Sequence, residues 1–163
     1  GAGDDIVTVT KFALRHLAIR IDELTLGTAA ITKRRRRLLN QCAPKLMAII
    51  GVGPDTGTAL LIAAGDNPDR LGSPASFAAL LGASPIEASS GKTVRMRLNR
   101  GGDRQGNSAL WHIVMSRMAT QTATKAYVER RTEEGLSKPE IIRCLKRYVA
   151  REVFNALPRE VLV

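Results

Sequence analysis

"PKLMAIIGVGPDTGTALLIAAGD", from Pro44 to Asp66, sets two apolar stretches on either side of a Gly-Val-Gly turn, with a proline at the start of each. Proline suits the first turn of a helix because its ring pre-sets φ and its missing N–H would have had no intrahelical partner. Glycine supplies the backbone freedom of a tight turn. The segment therefore predicts a short helix to Ile50, a turn at 51–53 and a second helix from Pro54, a helix-hairpin-helix pattern. Two readings fit it. Gly51 and Gly53 allow a phosphate to approach the backbone, where the free N–H groups and the dipole of the following helix would hold it without regard to base sequence. Alternatively, an αα-hairpin uses its glycines only to turn.

The charge balance weights the first reading. The 163 residues carry 25 Lys and Arg against 15 Asp and Glu, a net charge of +10. Such an excess favours a polyanionic partner, nucleic acid ahead of an anionic membrane surface. A hydrophobic content of 44% suffices for one compact domain with its own core. No apolar run approaches the roughly 20 residues that span a bilayer, and the start "GAGDD" lacks the regions of a signal peptide. A cytoplasmic protein without membrane contact is expected, and the helix-poor opening suits a piece cut from a longer chain. Cys42 and Cys144 lie far apart at no metal-ligand spacing, which predicts two free thiols in a reducing compartment.

Upstream of the hairpin, Leu14, Leu17, Ile21, Leu24, Thr28, Ile31, Arg35 and Leu38 alternate steps of three and four, a heptad seam weakened at Thr28 and Arg35. The pattern predicts a coiled-coil-like helix of about 25 to 30 residues with Gly27 in its middle. It divides the chain into a linker over 1–43 and a domain over 44–163. Such a helix either lies on its own domain or pairs with a helix of another chain. The run Lys33–Arg37, "KRRRR", sits on it, and consecutive residues point around the whole circumference, so one face must be solvated and strongly positive. That face is either plain solvated surface or a phosphate contact, since five cations with no interleaved acid repel one another. Lys33, Arg34, Arg36 and Arg37 are its candidates.

Downstream, Ser73 and Pro74 open a small helix whose Phe77, Leu80 and Leu81 share a face and which stops at Gly82. Val94, Met96 and Leu98 then alternate with Arg95, Arg97 and Asn99, the period of a half-buried strand with a basic outer side. "NRGGDRQGN" follows as a second glycine-rich approach bearing Arg100 and Arg104. A helix with Trp111, Val114 or Met115, Met118 and Thr122 on one face runs on to Gly135. "SKPE" at 137–140 matches a capping box, opening a last helix with Ile141, Leu145, Tyr148 or Val149, and Glu152 or Val153 on its face. The fold expected is mostly α, a helical domain with a helix-hairpin-helix motif and a small β element, preceded by the long helix.

The chemistry that these residues admit is narrow. His16 and His112 lie on separate predicted helices with no ligand spacing around them, and read as structural or surface residues; no metal site is predicted. Neither a nucleophile-elbow Gly-x-Ser-x-Gly nor a phosphate-binding Gly-x-x-x-x-Gly-Lys-Ser/Thr occurs. Attack on a phosphodiester needs a positioned hydroxyl and cations that neutralise the nonbridging oxygens. "SSGKTVRMR" offers both: Gly91 permits a turn exposing Ser90, with Lys92, Arg95 and Arg97 close by in sequence. It offers no base or metal to activate the hydroxyl, and by local chemistry alone Ser89-Ser90-Gly91 reads first as an ordinary loop, with a nucleophile the lesser reading.

Three stretches in order, "IIGVGPDTGTALLIAAGD", "SPASFAALLGASPIEASSGKTVRMRLNRGGDRQGNSALW" and "KPEIIRCLKRYVAREVFNAL", resemble the C-terminal transposase domain of the IS-one-ten family of insertion-sequence transposases, related to pilin-type DNA invertases. The resemblance covers nearly everything from Pro44 to Leu157. It implies a transposase and DNA recombinase in a prokaryotic, nucleoid-associated setting, with Ser90 as the serine that joins covalently to DNA and Ser89 as the neighbour open to confusion with it. It also implies a RuvC-like domain whose acidic tetrad binds Mg2+ and could activate the serine, a guide (bridge) RNA, and a coiled-coil linker over about 12–40 that joins this domain to its partner. The Leu14 to Ile31 heptads add the expectation of a homo-oligomer through that helix. The acids here, among them Asp66, Asp69, Glu87 and Asp103, match no such tetrad. This chain alone is expected to bind nucleic acid without recombining it. The rival reading is a noncatalytic helix-hairpin-helix nucleic-acid-binding module; a dimerisation module with incidental charge comes third.

Overall fold

A computed structural model describes residues 5–65, 71–87, 91, 96–97 and 99–158, which form a mostly helical protein with a two-stranded ribbon. Helix α1 spans Ile6–Cys42, 37 residues, and so is longer than the heptad seam predicts. The β-branched opening "IVTVT" reads as helix-poor, yet each such residue costs only tenths of a kcal/mol, roughly, in a helix. Nothing there breaks the hydrogen-bond ladder, and the Thr10 hydroxyl donates back to the Ile6 carbonyl at 2.7 Å. Every residue from 5 to 31 is exposed. Over that length α1 does not lie on its own domain. Only near its end does it dock, burying Leu39.

Helix α2 (Pro44–Met47) ends before the expected Ile50, and the turn begins at Ala48. Helix α3 (Pro54–Ala64) follows. Helix α4 (Pro74–Leu80) is capped as expected, the Ser73 hydroxyl accepting from the Ser76 N–H at 3.2 Å, with Phe77 and Leu81 fully buried. Strand β1 (Ile86–Glu87), which the alternation did not reveal, pairs antiparallel with β2 (Met96–Arg97) in the register Ile86↔Arg97 and Glu87↔Met96. The rest of the expected strand, Val94, Arg95 and Leu98, lies outside the described residues.

The helix expected to follow the 99–107 turn and to run to Gly135 is two, and the first begins inside that turn, at Arg104, because the Asp103 carboxylate caps it. Helix α5 (Arg104–Thr120) and helix α6 (Thr122–Glu133) meet at Gln121, whose backbone is extended. The core face of α5 also differs from the expected stripe: Gly106, Ala109, Leu110, Ile113 and Val114 are buried, while Trp111 is 43% exposed and sits edge-on to His112. Close packing explains the choice. A Cβ on Gly106 would stand 2.3 Å from Leu81 Cδ2 and 3.3 Å from Ala63, so α5 approaches α3 and α4 along a line of small residues where an indole has no room.

Helix α7 (Lys138–Ala156) begins with the predicted box, the Ser137 N–H donating to Glu140 Oε2 at 2.9 Å. It buries Ile141, Leu145, Val149, Ala150 and Val153; Tyr148 stays outside at 58% exposure. The core is a single cluster of side chains from α2, α3, α4, α5 and α7, with Phe77 against Phe154 at 6.2 Å between centroids.

Candidate nucleic-acid interface

The turn between α2 and α3 is built from two glycines with different duties. Gly51 has φ +88°, and a Cβ there would press on Ile113 Cγ2 and its carbonyl at 3.2 Å each, so both its conformation and its packing exclude a side chain. Gly53 has nothing within 4 Å of a Cβ position: its bare side faces open space. Its N–H donates to Thr56 Oγ1 at 2.8 Å, so this amide is already occupied at the start of α3. Arg117, which sequence reasoning passed over inside an apolar stripe, pins the turn from beneath. Its Nε donates to the Ile50 carbonyl at 2.8 Å, and its Nη1 pairs with Glu152 at 2.8 Å.

The arginine run of α1 converges on this turn. Arg35 pairs with Asp55 in the first turn of α3 at 2.6 Å, and Leu39 reaches over Gly57 to 3.6 Å of its Cβ position. Lys33, Arg34, Arg36 and Arg37 remain exposed around it. One member of the five-cation run is thus structural, and the other four are exposed around the remaining circumference of α1. Asp55 places a carboxylate at that helix start, where the dipole favours an anion.

A second basic group lies on the β ribbon and its exit. Arg97 is exposed on β2, opposite Ile86, and Arg100 and Arg104 are exposed along the connection into α5. The connection is held tightly. Asn99 donates to the Ala79 carbonyl at 3.3 Å, the Asp103 N–H to the Leu80 carbonyl at 2.7 Å, and the Asp103 carboxylate accepts from the Gly106 N–H at 2.6 Å as the cap of α5. The glycines expected to admit a phosphate here face inward instead. A Cβ on Gly102 would fall 2.1 Å from the Gly82 nitrogen, and Gly106 packs on Leu81 as described. Asn107 donates to the Leu81 carbonyl at 2.5 Å and accepts from Lys146 of α7. Burial pushes the Lys146 ammonium below its ordinary pKa.

Gly91 is exposed, with φ +57° and open space at its Cβ position, as a glycine-dependent turn requires. Ser89, Ser90, Lys92 and Arg95 lie outside the described residues. The Gly51 turn precedes the start of α3, and the Gly106 end of α5 packs on Ala63 near the other end of α3. Both histidines are exposed, His16 stacked near Phe12 and His112 near Trp111. Among the described residues no three His, Cys, Asp or Glu side chains gather as a metal site, and no helix is long and apolar enough to cross a membrane.

Exposed arginines on the end of α1 and on a short ribbon, carried by a tight helical core, suit a protein that works on a polyanion, and comparison narrows this to a transposase. The model of the Transposase IS116/IS110/IS902 family matches residues 43–129, from the end of α1 into α6, and the chain belongs to that family. A search of curated proteins found no match.

Proposed function

We propose that this chain grips DNA for an insertion-sequence transposase and supplies Ser90 as the nucleophile of strand cleavage and exchange. The β1–β2 ladder is the observation that carries the reading. Glu87 and Met96 pair, so the span holding Ser89, Ser90, Lys92 and Arg95 begins and ends at one pair of residues, with exposed Arg97 beside its base. In the reaction, the serine hydroxyl gives up its proton as its oxygen bonds to phosphorus, the departing sugar oxygen takes up a proton to leave as a hydroxyl, and the serine–DNA phosphodiester keeps the broken bond's energy for rejoining to another strand. Arg97, with Lys92 and Arg95, neutralises the nonbridging oxygens as charge builds on them. Lys33, Arg34, Arg36 and Arg37, exposed on the end of α1, contact flanking phosphates. The described residues do not fit a divalent ion, so no step is drawn through a metal held by this chain. By family resemblance the reading extends to a guide RNA that selects the DNA.

The discriminating experiment is Ser90→Ala in the full-length transposase with its DNA. Covalent protein–DNA adducts that survive denaturant should disappear while noncovalent binding persists. Adducts and strand exchange at wild-type level would leave the chain a noncatalytic binding module, and loss on Ser89→Ala instead would move the nucleophile by one residue.

A further inference from the structure

Beyond the matched residues, α7 carries Arg143, Arg147 and Arg151 at i, i+4 and i+8, one stripe in which cations recur about every 6 Å. All three are exposed, and among the described residues none has an acidic side chain within ion-pair distance. Glu140, the acid on the same stripe, is bonded to Ser137 and lies within electrostatic reach of Arg143, whose Nε donates to the Pro139 carbonyl at 3.1 Å, so Arg147 and Arg151 are the freer pair. Beside the stripe stands exposed Tyr148, its ring 5.8 Å from that of Tyr127 and nearly perpendicular to it. Arg130 and Arg131 of α6 lie over the Tyr127 ring at 5.4 and 6.0 Å. Arg147, Tyr148 and Arg151 line a cleft of about 460 Å³ against Ser73, Pro74 and Ala78 of the α4 end.

A row of unpaired cations alongside an exposed aromatic is what a single strand needs: phosphates on the arginines and a base on the ring. A duplex hides its base faces in the stack and would use only the cations. We propose that the α6–α7 face binds single-stranded nucleic acid, with Tyr148 as a stacking platform and Arg143, Arg147 and Arg151 as the backbone track. This surface is separate from the ribbon and the glycine turn; it rests on the reading above only in that the chain handles nucleic acid.

The test measures anisotropy of labelled oligomers of about 20 nucleotides, oligo-dT and oligo-U in parallel arms, with a mixed-sequence duplex as comparison. Tyr148→Ala should weaken single-strand binding about 5- to 100-fold, and Tyr148→Phe should stay within about twofold of wild type. Arg147→Ala with Arg151→Ala should lower the single-strand salt slope by roughly 1.4. Duplex affinity should be little changed in the two Tyr148 variants, whereas the double arginine variant should weaken the duplex as well, since a duplex uses the cations. The dT and U arms tell whether the strand is DNA or RNA. Unchanged single-strand binding in Tyr148→Ala, or an equal loss on the duplex, overturns the proposal. Duplex binding with no single-strand binding overturns it alone, and binding of neither overturns the functional reading as well.

Discussion

Replacing Gly102 with alanine should damage the fold far more than the same change one residue earlier. A methyl at 102 would stand 2.1 Å from Gly82 N, 2.4 Å from Gly82 Cα and 2.7 Å from Leu81 C. Carbon contacts settle at about 3.5–4.0 Å, so the two segments must part by more than 1 Å, roughly. Every opposing atom is backbone, and Gly82 is itself held at φ +65°. No side chain can swing aside. Overpacking costs about 1–3 kcal/mol, and a clash with backbone belongs at the top of that range, about 3 kcal/mol out of a total of roughly 5–15. With an m-value near 2 kcal/mol/M, the urea midpoint should fall by about 1.5 M. At Gly101 the methyl would meet only Asn99 Oδ1 at 3.5 Å, an ordinary contact, so Gly101→Ala should stay within about 0.5 kcal/mol of wild type. Urea unfolding followed by circular dichroism compares the two. If both midpoints fall together, or Gly102→Ala shifts by less than about 0.3 M, the close approach of these backbones does not govern stability and the reasoning fails.

Two further outcomes are expected. The seam residues of α1 are exposed, Leu17 at 60% and Leu24 at 53%, so the seam should join two copies; wild type should elute as a dimer, and Leu17→Asp with Leu24→Asp as a folded monomer, whereas a monomeric wild type would end that reading. Lys146 has its folded pKa lowered by burial, so the unfolded chain holds that proton more tightly and stability should rise as pH climbs toward the ordinary lysine value of 10.5. Lys146→Met should lack that rise, and parallel stability profiles for the two proteins would contradict it.

Where local rules act alone, the sequence was sufficient. Ser73-Pro74 and Ser137 with Glu140 are caps made by neighbours, and α4 and α7 begin where they stand. The apolar period of α7 was legible because that helix is amphipathic along its whole length. The break at Gln121 was not, since no glycine or proline marks it; it shows only in the extended backbone of that residue. Trp111 misdirected the reading of α5 because the largest apolar side chain is not the one that fits where backbones nearly touch. The same limit applies to the basic residues. The run at 33–37 was plain, but that Arg35 turns to Asp55, and that Gly102 and Gly106 serve packing, depends on partners distant in sequence. The arginine stripe of α7 was passed over in favour of that helix's apolar period, and the tyrosine pair beside it gives it a direction.

The continuity of α1 turns it into a ruler and a protractor at once. From Leu14 to Leu39 the rise is about 38 Å, and every residue adds about 100° of rotation. Whatever seats on the seam is therefore held at a set distance and a set bearing from the glycine turn. Removing seven residues would draw the two closer while nearly preserving the bearing, whereas removing five would swing one to the far side of the other. In a protein that must bring separate strands into register, helical phase is then as much an inherited quantity as any side chain.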